Sequence, residues 1–123
     1  MIGETAELLL ANETFYEAFA AGDIDAMDGL WARAKTVACV HPGQDVLVGR
    51  ETVMGSWRAI LGSADATGFR CERPQVTLLG SDTGFVTCIE RFGPGRLLAT
   101  NVFVRENDRW HMVHHHAGPL PPE

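Results

Sequence analysis

The sequence has little of what marks several protein classes. Its 123 residues include only three cysteines, and its formal net charge is −6 at pH 7. The cysteines are odd in number and lack Cys-x-x-Cys spacing, so neither a disulfide framework nor a cysteine zinc site is indicated. They are expected to be buried apolar residues in a reducing cytoplasm. The missing basic excess argues against binding to nucleic acid or to an anionic membrane surface.

Long apolar runs are also missing. The early run is Leu8-Leu9-Leu10-Ala11, which is short and has acidic flanks. A signal peptide or a membrane span needs a longer apolar segment. We therefore expect a cytoplasmic protein. The length predicts one domain over 1–123, with a loose Pro-rich tail at 118–123.

Helical periodicity fills the first half of the chain. Apolar residues recur at spacings of three and four over about Glu4–Ala21, and Gly22 suits the end of that helix. Asp23 is placed to cap a second, short helix, and a third is predicted over about 51–61. Between them a β-rich run, 36–40, stops at a His-Pro-Gly turn because Pro lacks a backbone donor.

The second half alternates with a period of two. Strands are predicted over about 69–79, 84–92, 96–105 and 109–116. Their short connections favour consecutive antiparallel pairing. Helices followed by strands predict an α+β fold, in which three N-terminal helices pack on one antiparallel sheet.

Four of the five histidines lie in the segment 110–116. In a regular strand, His114 and His116 would share the inward face with the Trp and Met of this segment, while His115 would point outward. A tight hairpin before the strand then sets Asn101 opposite His114. This register predicts a polar pair among aromatic neighbours.

Four local features together carry a family resemblance. They are two helices joined by 21–23, a strand ending in a Pro turn, Gly49-Arg50 opening a third helix, and strands closing on Trp-x-x-Val-His-x-His. They resemble the nuclear transport factor 2-like superfamily, in its SnoaL-like branch, over about 4–119. Segments 76–82 and 110–119 are similar to strands of the calcium/calmodulin-dependent kinase association domain. The resemblance implies a cystatin-like cone, with a strongly curved antiparallel sheet around the helices, a pocket at its open end and dimerisation through the outer sheet face.

Ketosteroid isomerase, a more distant member of that superfamily, provides a test residue by residue. Its catalytic carboxylate precedes a Pro at the end of the first strand, and the corresponding residue here is His41. A histidine there suits proton transfer because its ordinary pKa is about 6.5. The oxyanion-binding tyrosine of the isomerase corresponds to Phe15, and Tyr16 lies about 100° further round the helix. The isomerase pair is not reproduced, so steroid isomerisation is not expected.

The candidate catalytic residues are therefore His41 and His114, although a turn histidine bonded to backbone explains His41 equally well. Glu90 lies in phase with the inward residues of its strand and is a candidate ligand contact. If it is buried it needs a cation, and Arg50, Arg91 or a neighbouring histidine could serve; otherwise it reaches water at the sheet end.

The other candidate ligand-binding residues all lie on faces that are predicted to point inward. They are Phe15, Trp31, Trp57, Asn101, Phe103, Met112 and His116. Core packing is the alternative for the aromatic ones. No metal site and no cofactor are expected, because no spacing in the chain is diagnostic of zinc.

Two classes of function remain open. The first is a pocket protein that binds a small apolar molecule, or converts a carbonyl-type ligand by acid/base chemistry. The second is a non-catalytic assembly module. Its outer sheet face would carry Phe85, Thr87, Ile89, Val102, Val104 and Val113. That apolar stripe predicts a homodimer under either interpretation.

Overall fold

Three helices and six strands are present in the residues described by a computed structural model, 3–63 and 69–122. In chain order they are α1 (Glu4–Ala21), α2 (Ile24–Leu30), β1 (Ala38–Val40), β2 (Leu47–Val48), α3 (Arg50–Ser63), β3 (Arg70–Leu78), β4 (Thr83–Phe92), β5 (Gly95–Glu106) and β6 (Arg109–Pro119). The predicted α+β class with three N-terminal helices is confirmed. The two-residue strand β2 was not predicted.

The first two helices end and begin where the sequence predicts. Gly22 adopts a left-handed conformation with φ 65°, and its N–H donates to carbonyls of the last turn of α1. Residues with a side chain rarely adopt this backbone conformation, whereas glycine adopts it readily. The Asp23 carboxylate then accepts from the N–H of Ala26 at 3.1 Å, which caps α2.

The sheet is mixed, with strand order β2-β1-β6-β5-β4-β3. Strands β3 to β6 form the predicted antiparallel meander. β1, in contrast, pairs parallel to β6, with Ala38 opposite His114. The prediction of a wholly antiparallel sheet was therefore wrong for this pair. β1 is far from β6 in sequence, so no hairpin turn fixes its direction.

A bulge in β6 overturns the predicted faces of the histidine run. Val102 is opposite His114, while the next pair along the ladder is Phe103 and Met112. Val113 is thus an extra residue, and every later residue changes face relative to a regular strand. Asn101 is opposite His115 rather than His114.

The structure consequently buries His115 and leaves His114 and His116 on the outer face. His115 is 2% exposed. The predicted inward position of His114 and His116 was wrong, because alternation cannot register an inserted residue.

The core lies between the three helices and the inner face of the sheet. Its largest buried apolar side chains are Trp31, Trp57, Phe15, Phe103, Leu8, Met27 and Met112. The strand β6 also extends beyond its predicted end, because Gly118 and Pro119 pair with Leu98 and Leu97 of β5. The predicted loose tail at 118–123 was therefore wrong for Gly118 and Pro119, and Glu123 lies outside the described residues.

Candidate functional site

One face of α1 places two polar side chains inside the molecule. Asn12 is fully buried and Tyr16 is 6% exposed. Residues four apart on a helix lie above one another, so both side chains face the sheet. Buried polar groups require partners, and these two find them on β3, β4 and β5.

The sheet contributes Glu90 from β4, Asn101 from β5 and His115 from β6. All three are inward-facing and at most 4% exposed. Glu90 lies on the same face as Val86, as the alternation of β4 requires. Asn101 and His115 are directly opposite each other in the ladder.

Short hydrogen bonds join these groups into one network. The Tyr16 hydroxyl donates to Glu90 Oε2 at 2.6 Å. The Asn101 amide nitrogen donates to Asn12 Oδ1 at 2.9 Å and to the Tyr16 hydroxyl oxygen at 3.1 Å. Asn101 Oδ1 lies 2.5 Å from His115 Nδ1. We call Asn12, Tyr16, Glu90, Asn101 and His115 the polar network.

The network fixes the tautomer of His115. The Asn101 amide nitrogen is committed as a donor, so its oxygen must accept from His115 Nδ1–H. The Nε2 atom then carries the lone pair and lies 3.8 Å from Glu90 Oε2. His115 thus positions Asn101, which in turn positions Tyr16.

Burial changes the protonation of the network. Desolvation raises the pKa of Glu90 to about 7, against a smaller lowering by the Tyr16 hydrogen bond. Desolvation also lowers the pKa of His115 to about 3, with neighbouring histidines adding to the effect. The imidazole is therefore neutral at pH 7, and its approach to Glu90 is not an ion pair. Desolvation and the charge of Glu90 raise the pKa of Tyr16, which stays a neutral phenol.

A cleft of about 240 Å³ reaches the network from outside, between α1 and the start of β3. Its lining residues are Glu13, Tyr16, Glu17, Ala20, Phe69 and Cys71. Tyr16 lies both in the cleft wall and against Glu90. The phenol therefore separates the cleft from the buried carboxylate.

His41 is placed apart from this network. Its Nε2 lies 2.9 Å from Ser56 Oγ, and its ring contacts Trp57 edge-on with a 5.0 Å centroid separation. Ser56 already donates to the Val53 carbonyl at 2.7 Å, so it accepts from His41 and is not activated as a nucleophile. Desolvation lowers the pKa of His41.

The two catalytic candidates from the sequence do not meet. His114 lies on the outer sheet face with its ring 6.1 Å from that of His116. His41 lies on the inner side, where Trp57 stands between it and His115. The histidine on the same side as His41 is therefore His115, and the Trp57 ring separates the two.

The apolar ligand-binding candidates are buried in the core. Phe15, Trp31, Trp57, Phe103 and Met112 have no exposed surface. Phe15 contacts the rings of Tyr16 and His115 at 4.8 and 4.9 Å, so it packs against the polar network. Within the described residues, the indole N–H groups of Trp31 and Trp57 have no acceptor.

Glu90 does not pair with the arginines considered from the sequence, and its neighbouring histidine, His115, lies 3.8 Å away as a neutral imidazole. Arg50 pairs with Asp28 at 2.9 Å and donates to backbone carbonyls of α2 and the following residues. Arg91 pairs with Glu72 at 2.9 Å. Tyr16 supplies the contact to Glu90 instead, and this neutral donor leaves the carboxylate pKa high.

The comparison with known families fits this architecture. Residues 9–121 match the model of the SnoaL-like domain. The chain belongs to this family. The resemblance inferred from the sequence, including the nuclear transport factor 2-like fold, is confirmed.

Relatives of this SnoaL-like chain include a longer plant protein. The F-box protein SKIP8 of Arabidopsis thaliana is 30% identical over 118 residues, which cover 94% of the chain and 51% of that protein. The chain thus spans about half the length of the curated relative it matches.

Two solved structures share both sequence and fold with the SnoaL-like chain. A protein named as a candidate dehydratase of the NTF2-like family, from Streptomyces avermitilis, is 35% identical with a TM-score of 0.87 and 96% coverage of both chains. A protein from Thiobacillus denitrificans, named as a candidate calcium/calmodulin-dependent protein kinase type II association domain, is 37% identical with a TM-score of 0.71. That match covers 90% of this chain and 93% of the other.

Sequence reasoning missed Asn12, Tyr16 and His115 as members of the site of this SnoaL-like chain. Tyr16 was set aside because the isomerase comparison pointed to Phe15. A polar residue one turn before it, Asn12 on the apolar stripe of a helix, was an available signal that α1 faces a polar interior. For His115 no local signal exists, because the bulge is defined only by pairing.

Two kinds of feature are absent from the residues that the structure describes, grouped metal ligands and membrane-spanning helices. Across 3–63 and 69–122, no group of three or more His, Cys, Asp or Glu residues is arranged to hold a metal ion. No helix in the same ranges is long and apolar enough to span a bilayer.

Proposed function

We propose that this SnoaL-like chain binds a small, apolar, carbonyl-type molecule in the cleft and exchanges protons with it through Tyr16 and Glu90. One observation carries the proposal. Tyr16 lines the cleft and donates at 2.6 Å to a buried carboxyl whose pKa is raised to about 7. A general acid/base works best when its pKa lies near the working pH.

Protonation of Glu90 reverses the Tyr16–Glu90 hydrogen bond. While Glu90 is ionised, it accepts the phenol hydrogen. Once Glu90 is protonated, its own O–H donates to the Tyr16 oxygen, and the phenol hydrogen becomes free to point into the cleft. Asn101 donates to the same oxygen in both states and holds the phenol in place. The Tyr16 hydroxyl can therefore donate to a ligand carbonyl only when Glu90 is protonated.

The reverse transfer makes the pair a base. A proton taken from the carbon next to a ligand carbonyl passes to the Tyr16 oxygen, while the phenol proton passes to the Glu90 carboxylate. Phe69 and Ala20 provide the apolar part of the cleft, and two exposed carboxylates stand at its rim. This setting favours neutral ligands over anions.

Exchange of the α-hydrogens of 1-tetralone in deuterated buffer tests the proposal, because this exchange needs only a base and a carbonyl-binding donor. Proton NMR should show loss of the α-CH₂ signal faster than in buffer, with a rate that rises as the pH passes about 7. Glu90→Gln should reduce the catalysed rate by about a hundredfold or more. Tyr16→Phe should do the same.

Matched variants separate this site from the earlier candidates. Glu4→Gln lies exposed on the same helix as Tyr16 and should leave the rate unchanged. His41→Gln and His114→Gln should also leave it unchanged, because His41 bonds to Ser56 and His114 lies on the outer face of the sheet. A wild-type rate equal to that of buffer, or full activity in Glu90→Gln, contradicts the proposal.

A second candidate function, assembly through the outer sheet face, rests on a separate surface. The apolar side chains of that face are only half-buried in the single chain: Phe85, Ile89, Val102, Val104 and Val113. Leu98 on the same face is 48% exposed. Similarity to a protein named as an association domain supports self-association here.

The assembly proposal predicts a dimer that depends on this face. Sedimentation velocity should find the wild type as a dimer and Val104→Asp as a monomer, because a buried unpaired carboxylate opposes association. Val46→Asp is the matched control, since Val46 is 48% exposed outside the sheet meander. A monomeric wild type at micromolar concentration, or dissociation by both variants alike, contradicts assembly.

A further inference from the structure

Two thiols lie together where the cleft meets the sheet. Cys71 of β3 is partly exposed in the cleft wall. Cys88 of β4 is 2% exposed and lies behind it. The two thiols are near enough for each to shift the pKa of the other. A reagent in the cleft would thus reach one sulfur directly and find the second next to it.

Each sulfur also has a partner on α1. The Asn12 amide donates to Cys71 Sγ at 3.6 Å, and the Tyr16 hydroxyl lies 3.1 Å from Cys88 Sγ. The neighbouring Cys88 thiol, with a further contribution from the Asn12 amide, lowers the pKa of Cys71 in spite of partial burial. The neighbouring Cys71 thiol and desolvation raise the pKa of Cys88. The exposed sulfur is therefore the more acidic one.

The strand register allows the two sulfurs to approach. Cys71 is opposite Glu90, and Cys88 lies two residues earlier on the same face, so the cysteines are diagonal neighbours on adjacent strands. Diagonal residues of a regular ladder are about 7–8 Å apart, while a disulfide takes Cα separations up to ~6.8 Å. The register is interrupted at 72–75, where Arg73 has φ 55°. This bulge departs from the regular ladder next to Cys71, so the Cα atoms of Cys71 and Cys88 can lie about an ångström closer than in a regular ladder.

We propose that Cys71 and Cys88 are a redox-active dithiol, oxidised by a small hydroperoxide that enters the cleft. The Cys71 thiolate attacks the near peroxide oxygen, the O–O bond breaks, and the departing alkoxide or hydroxide takes a proton to leave as alcohol or water. The Cys88 sulfur then attacks the sulfenic acid of Cys71. The S–S bond forms as the thiol hydrogen of Cys88 and the hydroxyl of the sulfenic acid leave together as water.

The third cysteine provides an internal comparison. Cys39 of β1 is fully buried, and desolvation followed by the charge of Glu90 raises its pKa to about 12. The strands β5 and β6 stand between β1 and β4 in the sheet. Cys39 is thus a thiol that a reagent in the cleft cannot reach, that has a raised pKa, and that has no second cysteine beside it among the described residues.

Peptide mass spectrometry of the full chain tests the proposal. The protein is treated with hydrogen peroxide, blocked with N-ethylmaleimide and digested with trypsin. Arg73 precedes Pro, where trypsin does not cut, so both cysteines fall in one peptide, 71–91. That peptide should lose two hydrogen atoms, take no maleimide and recover both thiols with dithiothreitol, at least about tenfold faster than Cys39 reacts.

Variants separate the two steps of the reaction. Cys88→Ser should leave the Cys71 sulfenic acid without a resolving thiol, so that dimedone labels Cys71; Cys71→Ser should show neither dimedone label nor disulfide. Cys39→Ser should react like the wild type. The wild-type experiment does not depend on any variant folding. Retention of both free thiols in the peptide, or oxidation of Cys39 at the same rate, overturns the proposal.

Discussion

Replacing Glu90 or His115 one at a time should give the free energy of unfolding opposite dependences on pH. Burial raises the pKa of Glu90 from 4.5 to about 7, so its contribution to stability is present below pH 4.5 and lost as the pH rises through 7. Burial lowers the pKa of His115 from 6.5 to about 3, so its contribution is present above pH 6.5 and lost as the pH falls through 3. The two dependences have opposite signs and overlap between pH 4.5 and 6.5.

In that window the pair binds the same number of protons before and after folding. The unfolded chain carries an ionised Glu90 and a charged His115, while the folded chain carries both groups neutral. Folding in effect moves one proton from the imidazole to the carboxyl. The pair therefore adds no pH dependence to the wild type, although each group alone is coupled to folding by about 3 to 5 kcal/mol, at about 1.4 kcal/mol per pH unit.

Each substitution should reveal the pH dependence of stability that the remaining group causes. Relative to the wild type, Glu90→Gln should gain stability with rising pH by about 1.4 kcal/mol per pH unit between pH 4.5 and 6.5. His115→Gln should lose stability with the same slope. Urea unfolding followed by tryptophan fluorescence measures both curves. Thr77→Ser, at an exposed position of β3 that does not titrate, should run parallel to the wild type.

The comparison with the wild type removes the titration of all other groups, since those are present in every variant. Two variant curves that run parallel to the wild type across this window would refute the reasoning. So would slopes of the same sign in the two variants, because the opposite directions of the two pKa changes require opposite slopes.

Two further substitutions test the packing around the site. Gly84→Ala should lower the free energy of unfolding by about 2 kcal/mol in urea titrations, because the added Cβ would lie 2.9 Å from the Thr77 backbone carbonyl oxygen and 2.7 Å from Leu8 Cδ2. Gly29→Ala, with open space around it, should not destabilise. Arg50→Gln should cost about 2 kcal/mol and lower Tm, since it removes the ion pair with Asp28 and three hydrogen bonds to backbone carbonyls. An unchanged Tm in Arg50→Gln would show that those carbonyls find other donors.

Periodicity and turn residues were enough to place most elements of the fold. The predicted Glu4–Ala21 helix matches α1, and Asp23 caps α2 as expected, because both depend on residues close in sequence. The third helix and the meander strands differ from prediction by a few residues at their ends. The parallel pairing of β1 with β6 depends on contacts between distant segments, and no local pattern encodes it.

The candidate site was predictable only in part, for the same reason. Glu90 and Asn101 lie on inward faces of strands without an interruption between them and their neighbours, so alternation places them correctly. His115 lies beyond the bulge at Val113, where counting by two fails. On α1 the sequence offered two adjacent candidates, Phe15 and Tyr16. The comparison with ketosteroid isomerase, a distant family member, favoured Phe15, so Tyr16 was not predicted as a site residue.

The bulge in β6 also has a consequence for how faithfully the chain folds. A slip of β6 by one residue against β5 would replace the inward His115 with His114 or His116, another imidazole of the same size. The polar network alone would therefore discriminate poorly between the correct pairing and a slipped one during folding. Discrimination rests on Trp110 and Met112, whose buried side chains a slip would turn toward water. Burial of Trp110 and Met112, more than the histidines, therefore favours the correct register of β6 over a slipped one.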